Sequence, residues 1–446
     1  MKPNAREVSL AILTAREDDS RALSLDAIDD SRERSFALDL VNTTTKWLGL
    51  VDWYLGSFSK RPLELLPAIL RNAMRLGVTQ FLLMGIPPYA AIDSVVSCLK
   101  TKGHKAYCNG VLREIARCLG HVEVPSLDRN PLQYVSVRYS YPEWIVDLLV
   151  RRFGLSDAIR YCAVQNRVPP LHLRVNTAKV SRDDFLERLI HSGYRAQIGN
   201  LPESVKVTSG GRVADMPGYR EGHFTVQDEG AMAIGMVLDP RPGNTVWDVC
   251  SAPGGKATHA AALVGCSGKV LATDIDPKRL DMVHDARRRL GLTNLTIQVL
   301  DATQDVPDDL FDRVLLDAPC SGLGVLRRNP DLRWNRRPED VPVMAARQRV
   351  LLEKASSRVK LGGVLVYSTC TITEEENEKV WRDFLERRPE FRPEDPAMDP
   401  IRGLFSEDSR FQGPGFRYLL PHISGTDGFF VGKAVKTGTN KRIEAS

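Results

Sequence analysis

The amino-acid sequence predicts a multidomain protein in which an all-α domain, a small α+β domain and a larger α/β domain follow one another. The chain has 446 residues. A length of this order would fill about three domains, because a domain commonly holds about 100–200 residues. Apolar residues recur at helical spacing as far as residue 120, whereas from Gln227 onward apolar strands alternate with helices. Such alternation is typical of a parallel sheet that helices cover on both faces.

Residues 1–125 are predicted to form the helical domain. Residues 63–83 carry apolar side chains at helical spacing, Pro87 and Pro88 interrupt the pattern, and it resumes after them. Basic residues outnumber acidic ones between positions 41 and 120, and those singled out are Lys46, Arg71, Arg75, Lys100, Lys102, Lys105, Arg113 and Arg117. Such charges usually belong to a solvated helix face, and the functional alternative is a surface that binds a polyanion.

Residues 126–226 are predicted to hold linker helices and then the small α+β domain. Residues 171–176 alternate between apolar and polar side chains, which indicates a half-buried strand. A helix over 183–191 and strands over 205–207 and 224–226 complete the domain.

Residues 227–435 are predicted to form the α/β domain, and residues 436–446 a disordered tail. The predicted strands cover 245–249, 269–273, 295–300, 313–316 and 363–367. An open sheet of this kind binds its ligand at the carboxyl ends of the strands. Side chains that directly follow these strands are therefore the candidates for a functional site.

Composition and local sequence patterns restrict the expected location of the protein and its expected metal and disulfide content. No run reaches the roughly 18 apolar residues of a membrane helix, and the first residues lack the apolar core of a secretory signal. Eight cysteines in 446 residues are too sparse for a disulfide framework, and none forms a Cys-x-x-Cys pair that would suit structural zinc. We therefore expect a cytoplasmic protein without a metal. The net charge of +5 permits a polyanionic partner without requiring one.

A small-residue turn follows the first strand of the α/β domain. It reads Cys250, Ser251, Ala252, Pro253, Gly254, Gly255 and Lys256. Adjacent glycines before a helix let a ligand approach the backbone and offer free N–H groups. The spacing fits neither the Gly-x-Gly-x-x-Gly dinucleotide fingerprint nor a phosphate loop, and a plain tight turn is the simpler alternative.

Three aspartates end successive strands beside this turn. Asp274 closes the second strand, Asp301 the third and Asp317 the fourth. A carboxylate at the second position can accept the two hydroxyls of a ribose, and one at the third could accept the amine of adenine. Any one of them alone would be read as a capping or surface acid. Together they predict a ligand that has a ribose and an adenine but no phosphate.

Two cysteines also stand just beyond strand ends, Cys320 and Cys370, and are expected to open into the same crevice. Most lone cysteines are inert and buried, which is our interpretation of Cys98, Cys108, Cys118, Cys162 and Cys266. A thiolate in such a crevice can serve as a covalent nucleophile. One that adds to carbon 6 of a cytosine turns carbon 5 into an enamine carbon able to accept a methyl group.

The motifs around these residues resemble those of the RNA 5-methylcytosine methyltransferases. The matching segments are 317–322 with Arg328, Pro330, Asp331 and Trp334, then 368–370 with 374–377, and the turn 252–256. The helical domain resembles the antitermination factor NusB. This combination is similar to the Sun/Fmu (RsmB) subfamily, which acts on small-subunit ribosomal RNA.

The resemblance implies a Rossmann-like catalytic domain, S-adenosylmethionine as cofactor and RNA as partner, with a monomeric chain and no membrane. By position, Cys370 would be the nucleophile, Cys320 would assist elimination of the product, and Asp317 would contact the base. The turn from Cys250 to Lys256 would hold the cofactor together with Asp274, Asp301 and Asp317.

A basic run lies between the two cysteines: Arg327, Arg328, Arg333, Arg336, Arg337, Arg347 and Arg349. A solvated helix face would explain it, but with Trp334 interleaved we expect it to grip phosphates and stack bases around an extruded cytidine. The paired cysteines argue against a methyltransferase for proteins or small molecules. Transfer RNA as substrate, and a non-catalytic RNA-binding or assembly role, stay open as alternatives.

Overall fold

The computed structural model describes residues 3–18, 24–119, 121–209 and 211–438. The chain divides into two compact units. The helical unit is bounded by Met1–Asn166 and Asn329–Asn335, and the catalytic unit by Arg167–Arg328 and Arg336–Ser446. Among the described residues, none of the helices has the length and apolar character needed to cross a membrane.

The helical unit contains nine α-helices before residue 167 in the part of the chain that is described. They are α1 (Ala5–Asp18), α2 (Ser31–Lys46), α3 (Leu48–Phe58), α4 (Ala68–Leu83), α5 (Pro88–Ser97), α6 (Lys102–Arg117), α7 (Pro131–Tyr139), α8 (Glu143–Phe153) and α9 (Leu155–Gln165). The carboxylate of Asp30 accepts hydrogen bonds from the first N–H groups of α2, and the hydroxyl of Thr101 does so for α6.

Helix α4 runs through the centre of this unit. Nearly every side chain from Leu70 to Phe81 is buried, including Met74 and Val78. The helix begins at Ala68 and not at residue 63, because Pro67 cannot lie inside a helix and stands directly before it. Residues Leu63–Leu65 form a single 3₁₀ turn instead. Pro87 likewise precedes α5, as the sequence predicts.

A four-stranded antiparallel sheet starts the catalytic unit, counted over the described residues. Its elements are β1 (Leu171–Val175), α10 (Arg182–His191), β2 (Arg195–Ile198), β3 (Ser204–Ser209) and β4 (Phe224–Val226), with the strand order β2-β3-β1-β4. Phe185 of α10 packs against Phe224 over the sheet. Strand β2 lies at the edge and is largely exposed, which is why its sequence carries no apolar alternation and did not predict it.

The large sheet and its helices follow in chain order. They are α11 (Glu229–Val237), β5 (Thr245–Asp248), α12 (Gly255–Val264), β6 (Lys269–Asp274), α13 (Pro277–Leu290), β7 (Leu295–Val299), β8 (Phe311–Asp317), α14 (Leu332–Asn335), α15 (Asp340–Ser357), β9 (Val359–Thr369), α16 (Glu378–Arg387), β10 (Phe391–Pro393), β11 (Gln412–Gly413), β12 (Phe416–Leu419), α17 (Pro421–Ser424) and β13 (Phe429–Lys436). Short 3₁₀ turns elsewhere cover Leu25–Ala27, Val213–Asp215, Arg402–Leu404 and Ser409–Phe411.

The large sheet is parallel in its first part and antiparallel in its last. Strands β7, β6, β5, β8 and β9 pair in that order and run parallel, as predicted. Strands β13, β12 and β11 extend the β9 edge antiparallel, and β10 pairs with β13. The predicted tail at 436–446 falls mainly on 439–446, outside the described residues, and Lys436 is the last residue of β13.

The strand order places a functional crevice at β5. The chain passes from β5 to β6 and β7 on one side, then returns to pair β8 with the other side of β5. Where a parallel sheet reverses its strand order in this way, the connections leave a crevice at the carboxyl ends of the strands. Asp248, Asp274 and Asp317 end β5, β6 and β8.

Candidate active site

The turn from Cys250 to Lys256 connects β5 to α12. It is closed by the Gly254 N–H, which donates to the Ser251 carbonyl at 2.7 Å, and it is held to β6 by the Ser251 N–H, which donates to the Thr273 carbonyl at 2.8 Å. Gly254 has a φ of 99°, and a Cβ there would lie 3.1 Å from a methyl group of Val283. Only glycine satisfies both the left-handed backbone and the narrow space at this position.

The two aspartates assigned to ribose and adenine lie beside this turn. The buried carboxylate of Asp274 accepts the Ala252 N–H at 3.2 Å and the Asp276 N–H at 3.1 Å. Asp301 lies two residues beyond β7, and its carboxylate accepts hydrogen bonds from the Thr303 hydroxyl, at 2.7 Å, and from the Thr303 N–H. These two hydrogen bonds lower the pKa of Asp301. Each carboxylate keeps acceptor positions for a further donor, since two oxygens together offer about four lone-pair sites.

Lys256 joins the turn to the fourth strand end. Its ammonium nitrogen lies 2.6 Å from an oxygen of Asp317, whose other oxygen accepts the Ser368 hydroxyl at 2.7 Å. Burial by itself would lower the pKa of Lys256, but the charge and hydrogen bond of Asp317 outweigh it and raise that pKa. The predicted cofactor turn and the predicted base-contacting aspartate therefore belong to a single site.

The two strand-end thiols meet in this crevice. Cys370 directly follows β9, Cys320 lies three residues after β8, and their sulfur atoms are 3.2 Å apart. Both are free thiols, since a disulfide would need about 2.05 Å. The hydrogen bond to Cys370, followed by burial, raises the pKa of Cys320 well above its ordinary value. The raised pKa favours the protonated thiol of Cys320, and either sulfur atom can be the donor between the two.

Cys250 differs from this pair. It lies in the turn, and burial first, then the charge of Asp274, raises its pKa far above the ordinary value for a thiol. A thiol held neutral in this way is a poor nucleophile. Its place in the turn suits a contact with a bound cofactor and not a covalent step.

Asp248 is a site residue that the sequence reasoning missed. It ends β5 directly before the turn, its side chain is buried, and neither carboxylate oxygen has a hydrogen-bond partner among the described residues. Burial, followed by the charge of Asp317, raises its pKa to about 8. The available signal was an acid that ends an apolar strand, the same signal that identified Asp274.

The basic run between the cysteines is largely engaged inside the protein, and its predicted role in gripping phosphates is wrong for several members. Arg327 and Arg328 are ion-paired with Asp228 and Asp427 in the catalytic unit. Arg336 donates to the Ser321 carbonyl at 3.1 Å. Arg349 lies 3.5 Å from Asp383, whereas the side chains of Arg337 and Arg347 are exposed.

Arg333 and Trp334 are part of the helical unit, and the base-stacking role predicted for Trp334 is not supported there. The buried guanidinium of Arg333 lies 4.0 Å from the Tyr141 ring centre and donates to backbone carbonyls, those of Lys46, Ser140 and Gln165. The Trp334 indole N–H donates to the Thr45 carbonyl at 2.7 Å. The physical reason is position, since the Arg333 side chain is fully buried and the indole N–H of Trp334 is already bonded to a backbone carbonyl of the same unit.

Comparison with known proteins connects this site to a family. Residues 235–435 match the family model described as 16S rRNA methyltransferase RsmB/F, residues 3–117 match the NusB family, and residues 141–214 match the ferredoxin-like domain described as RsmF/B-like. The small antiparallel sheet and α10 fall mostly within that last match, and the crevice falls within the first.

Relatives match over nearly the whole length. The chain is 34% identical to a probable ribosomal RNA small subunit methyltransferase B of Bacillus subtilis strain 168, over 98% of this chain and 100% of that protein. It is 32% identical to the ribosomal RNA small subunit methyltransferase B of Salmonella dublin, over 91% of each. The crystal structure of PH0851 superposes with a TM-score of 0.79 at 27% identity, over 98% of this chain and 100% of that one. The chain belongs to the RsmB/F family of 16S rRNA methyltransferases.

Proposed function

We propose that this protein methylates carbon 5 of a cytosine in small-subunit ribosomal RNA, with Cys370 as a covalent nucleophile. The observation that carries the proposal is the pair of free thiols, 3.2 Å apart, just beyond the ends of β8 and β9, in the crevice that also contains the Lys256–Asp317 pair. Methylation of an exocyclic nitrogen or a ribose oxygen needs no such pair, because those atoms are nucleophiles already. Carbon 5 of cytosine becomes one only after a nucleophile adds to carbon 6.

The cofactor is S-adenosylmethionine, as expected for a methyltransferase of this family. When bound, it supplies an electrophilic methyl group. Asp274 is assigned to the ribose hydroxyls and Asp301 to the adenine amine, since both keep free acceptor positions beside the turn. The turn fits a ligand that contacts backbone, because it leads into the amino terminus of α12, where the first N–H groups have no partner within the helix.

Cys370 is assigned to addition by its position in the motif of the family that the sequence resembles, and the raised pKa of Cys320 agrees with a thiol that stays protonated at this stage. The thiolate of Cys370 forms the bond to carbon 6, and the electron pair of the carbon 5–carbon 6 double bond becomes available at carbon 5. Lys256 lies close enough to Cys370 for the charge of that residue to contribute to the raised pKa of Lys256. Asp317 is assigned to the base, and the ammonium group of Lys256 that pairs with it can offset the negative charge that builds on the cytosine ring.

Cys320 is assigned to the final elimination. Its pKa is raised first by the hydrogen bond to Cys370. Once the sulfur of Cys370 is bonded to carbon it carries no charge, so this cause disappears and Cys320 ionises more readily. Cys320 can then accept the proton from methylated carbon 5, the bond from Cys370 to carbon 6 breaks, and the double bond is restored.

The helical unit is assigned to RNA binding through a groove between α5 and α6. The groove encloses about 820 Å³ and is lined by apolar side chains, by Asp93 of α5, and by Lys102, Lys105 and Arg113 on one face of α6. Tyr89 lies at its rim and is 79% exposed. Three cations within reach of one groove suit a phosphate backbone, and an exposed aromatic ring can stack a base.

Substitution of each thiol tests the covalent mechanism. Cys370→Ala cannot add to carbon 6 and is expected to transfer no methyl group and form no adduct. Cys320→Ala can add and transfer, but is expected to stall and to accumulate a protein–RNA species stable to denaturing gel electrophoresis, dependent on cofactor. Trapping by Cys370→Ala instead would exchange the two roles. Full turnover by both variants, with no adduct, would exclude covalent catalysis by this pair.

The identity of the substrate RNA needs a separate measurement. Bisulfite sequencing of ribosomal and transfer RNA, from cells with and without the protein, reads 5-methylcytosine directly. We expect the difference to fall in small-subunit ribosomal RNA, in agreement with the names of the relatives. A difference confined to transfer RNA would support the alternative substrate. No difference in either would favour a non-catalytic role in RNA binding or assembly.

A further inference from the structure

Glu376 has a fully buried carboxylate whose acceptor positions are saturated. Its side chain is 0% exposed. One oxygen accepts the Ser321 N–H at 2.8 Å and a Gln348 amide N–H at 3.1 Å, and the other accepts the hydroxyls of Ser321 at 2.5 Å and Thr373 at 2.7 Å. A buried carboxylate is stable only when such donors replace its hydration, so these four bonds fix its place closely.

The donors that surround Glu376 belong to the two segments that carry the thiols. Ser321 directly follows Cys320, and its hydroxyl lies 2.6 Å from the hydroxyl of Thr371, which directly follows Cys370. The same Gln348 amide group that donates to Glu376 also donates to the carbonyl of Pro319, the residue before Cys320, at 2.9 Å. The Cys320 segment is thus held on both sides of its thiol.

The backbone of the Cys370 segment is held by related contacts. The Gly324 N–H donates to the Cys370 carbonyl at 2.9 Å, and the hydroxyl of Tyr367, in β9, donates to the carbonyl of Glu376 itself at 2.5 Å. Glu376 therefore connects β9, which ends just before Cys370, with the segment after β8. Its carboxylate touches neither sulfur atom.

We propose that Glu376 is a positioning residue that sets the approach of the Cys320 thiol to Cys370, and so controls elimination of the methylated product. The proposal rests on the covalent mechanism proposed above. Methyl transfer needs only Cys370 and the cofactor, whereas elimination needs Cys320 within reach of carbon 5. A displaced Ser321 moves Cys320 first, so loss of the Glu376 carboxylate should slow the last step more than the earlier ones.

Glu376→Gln is the variant that tests this. Glutamine keeps the shape but has no charge and one acceptor oxygen fewer. Its NH2 group requires the hydroxyls of Ser321 and Thr373 to turn from donating to accepting, so the charge-assisted hydrogen bonds of the carboxylate are lost. We expect kcat to fall by at least about tenfold, the loss expected for a broken hydrogen bond to a charged group, while the KM for RNA stays within about twofold. A cofactor-dependent adduct stable to denaturing gels should accumulate, as in Cys320→Ala.

Glu375→Gln is the matched control, because Glu375 is the preceding residue, about half exposed and paired with Lys379 at the surface. It should turn over at the wild-type rate without adduct. Ser321→Ala removes one donor to Glu376 and the contact with Thr371 and leaves the carboxylate in place. Ser321→Ala should show the same adduct in smaller amount. It replaces Glu376→Gln as the test variant if circular dichroism shows that Glu376→Gln does not fold.

The outcomes separate this proposal from the one on which it rests. If Cys320→Ala traps RNA but folded Glu376→Gln does not, Glu376 does not position Cys320 and the proposal is wrong. The same holds if Ser321→Ala eliminates at the wild-type rate after Glu376→Gln has failed to fold. If Cys320→Ala itself traps nothing, the covalent mechanism fails first.

Discussion

The charged residues in the crevice interact with one another more than with solvent. Lys256 neutralises Asp317, while Asp248 lies buried next to both without a hydrogen-bond partner among the described residues. Its pKa is raised, first by burial and then by Asp317, to about 8 from an ordinary 3.8. Asp248 is therefore mostly protonated at neutral pH and adds no second negative charge beside Asp317.

This state of Asp248 predicts a pH dependence of stability. The folded chain holds the proton more tightly than the unfolded chain, so its stabilising contribution is complete below pH 3.8 and is lost as the pH rises through about 8. Asp248→Asn removes the titration. The unfolding free energy of the wild type, minus that of the variant, should fall by up to about 1.4 kcal/mol per pH unit between about pH 5 and 7.

Urea denaturation across this pH range, without cofactor, measures the difference. Asp281→Asn changes an exposed aspartate of α13 and should give a difference that does not vary with pH in the same way. A flat profile for Asp248→Asn would show that the carboxyl group is already ionised in the folded protein.

The turn between β5 and α12 is the element on which the cofactor site depends. Its backbone N–H groups hold Asp274 and close the turn itself, so a change of backbone angle would disturb both. Gly254 is the position where the change can be made with one substitution, because it combines a φ of 99° with close contact to Val283.

Gly254→Ala should lower the unfolding free energy by about 1–2 kcal/mol, since an L-residue is strained at positive φ. It should also weaken S-adenosylmethionine binding, measured by calorimetry on the folded variant. Gly103→Ala is the control: a Cβ there meets nothing within 4 Å, and the position lies in α6, where alanine is the better helix former. Wild-type stability and affinity for Gly254→Ala would remove the turn from the cofactor site.

At the scale of the whole molecule, the structure divides the basic residues that the sequence singled out into those engaged with other groups and those left at the surface. In the helical unit, Arg71 and Arg75 pair with Glu17, Arg75 also with Asp52, and Lys46 donates to a backbone carbonyl. The groove between α5 and α6 keeps its basic side chains at the surface. A mild net charge of +5 is thus compatible with a local group of three basic side chains at this groove.

Charge reversal of this patch should weaken RNA binding without affecting the chemistry of the catalytic unit. For Lys102→Glu, Lys105→Glu and Arg113→Glu combined, the slope of log affinity against log salt should become less steep by roughly 2–3, as for loss of that many phosphate contacts. Cofactor affinity should not change. Filter binding to small-subunit ribosomal RNA at several salt concentrations measures the slope.

Arg160→Glu on α9 is the control for each of the three substitutions made singly, because it makes the same change of charge as one of them at an exposed position outside the groove. An equal effect of Arg160→Glu would mean that net charge, and not the groove, drives binding. An unchanged slope for the combined variant would place the RNA on another surface.

The sequence by itself determined the class and order of the domains and the residues at the strand ends. Helical spacing and apolar strands are local patterns, and a parallel sheet collects the ends of its strands at one edge whatever their separation in the chain. Asp274, Asp317, Cys320 and Cys370 were found in this way. The edge strand β2 was not predicted, because an exposed strand carries no apolar pattern.

Only the tertiary structure decided which polar groups serve the interior. Arg327 and Arg333 read alike in the sequence, yet one pairs with buried aspartates and the other donates to backbone carbonyls, so neither is left for RNA. The 3.2 Å approach of the two thiols and the saturation of Glu376 likewise depend on contacts between segments that are distant in the chain. The physical reason is that a hydrogen bond or ion pair needs two partners, and the sequence does not show which distant residue is the second partner.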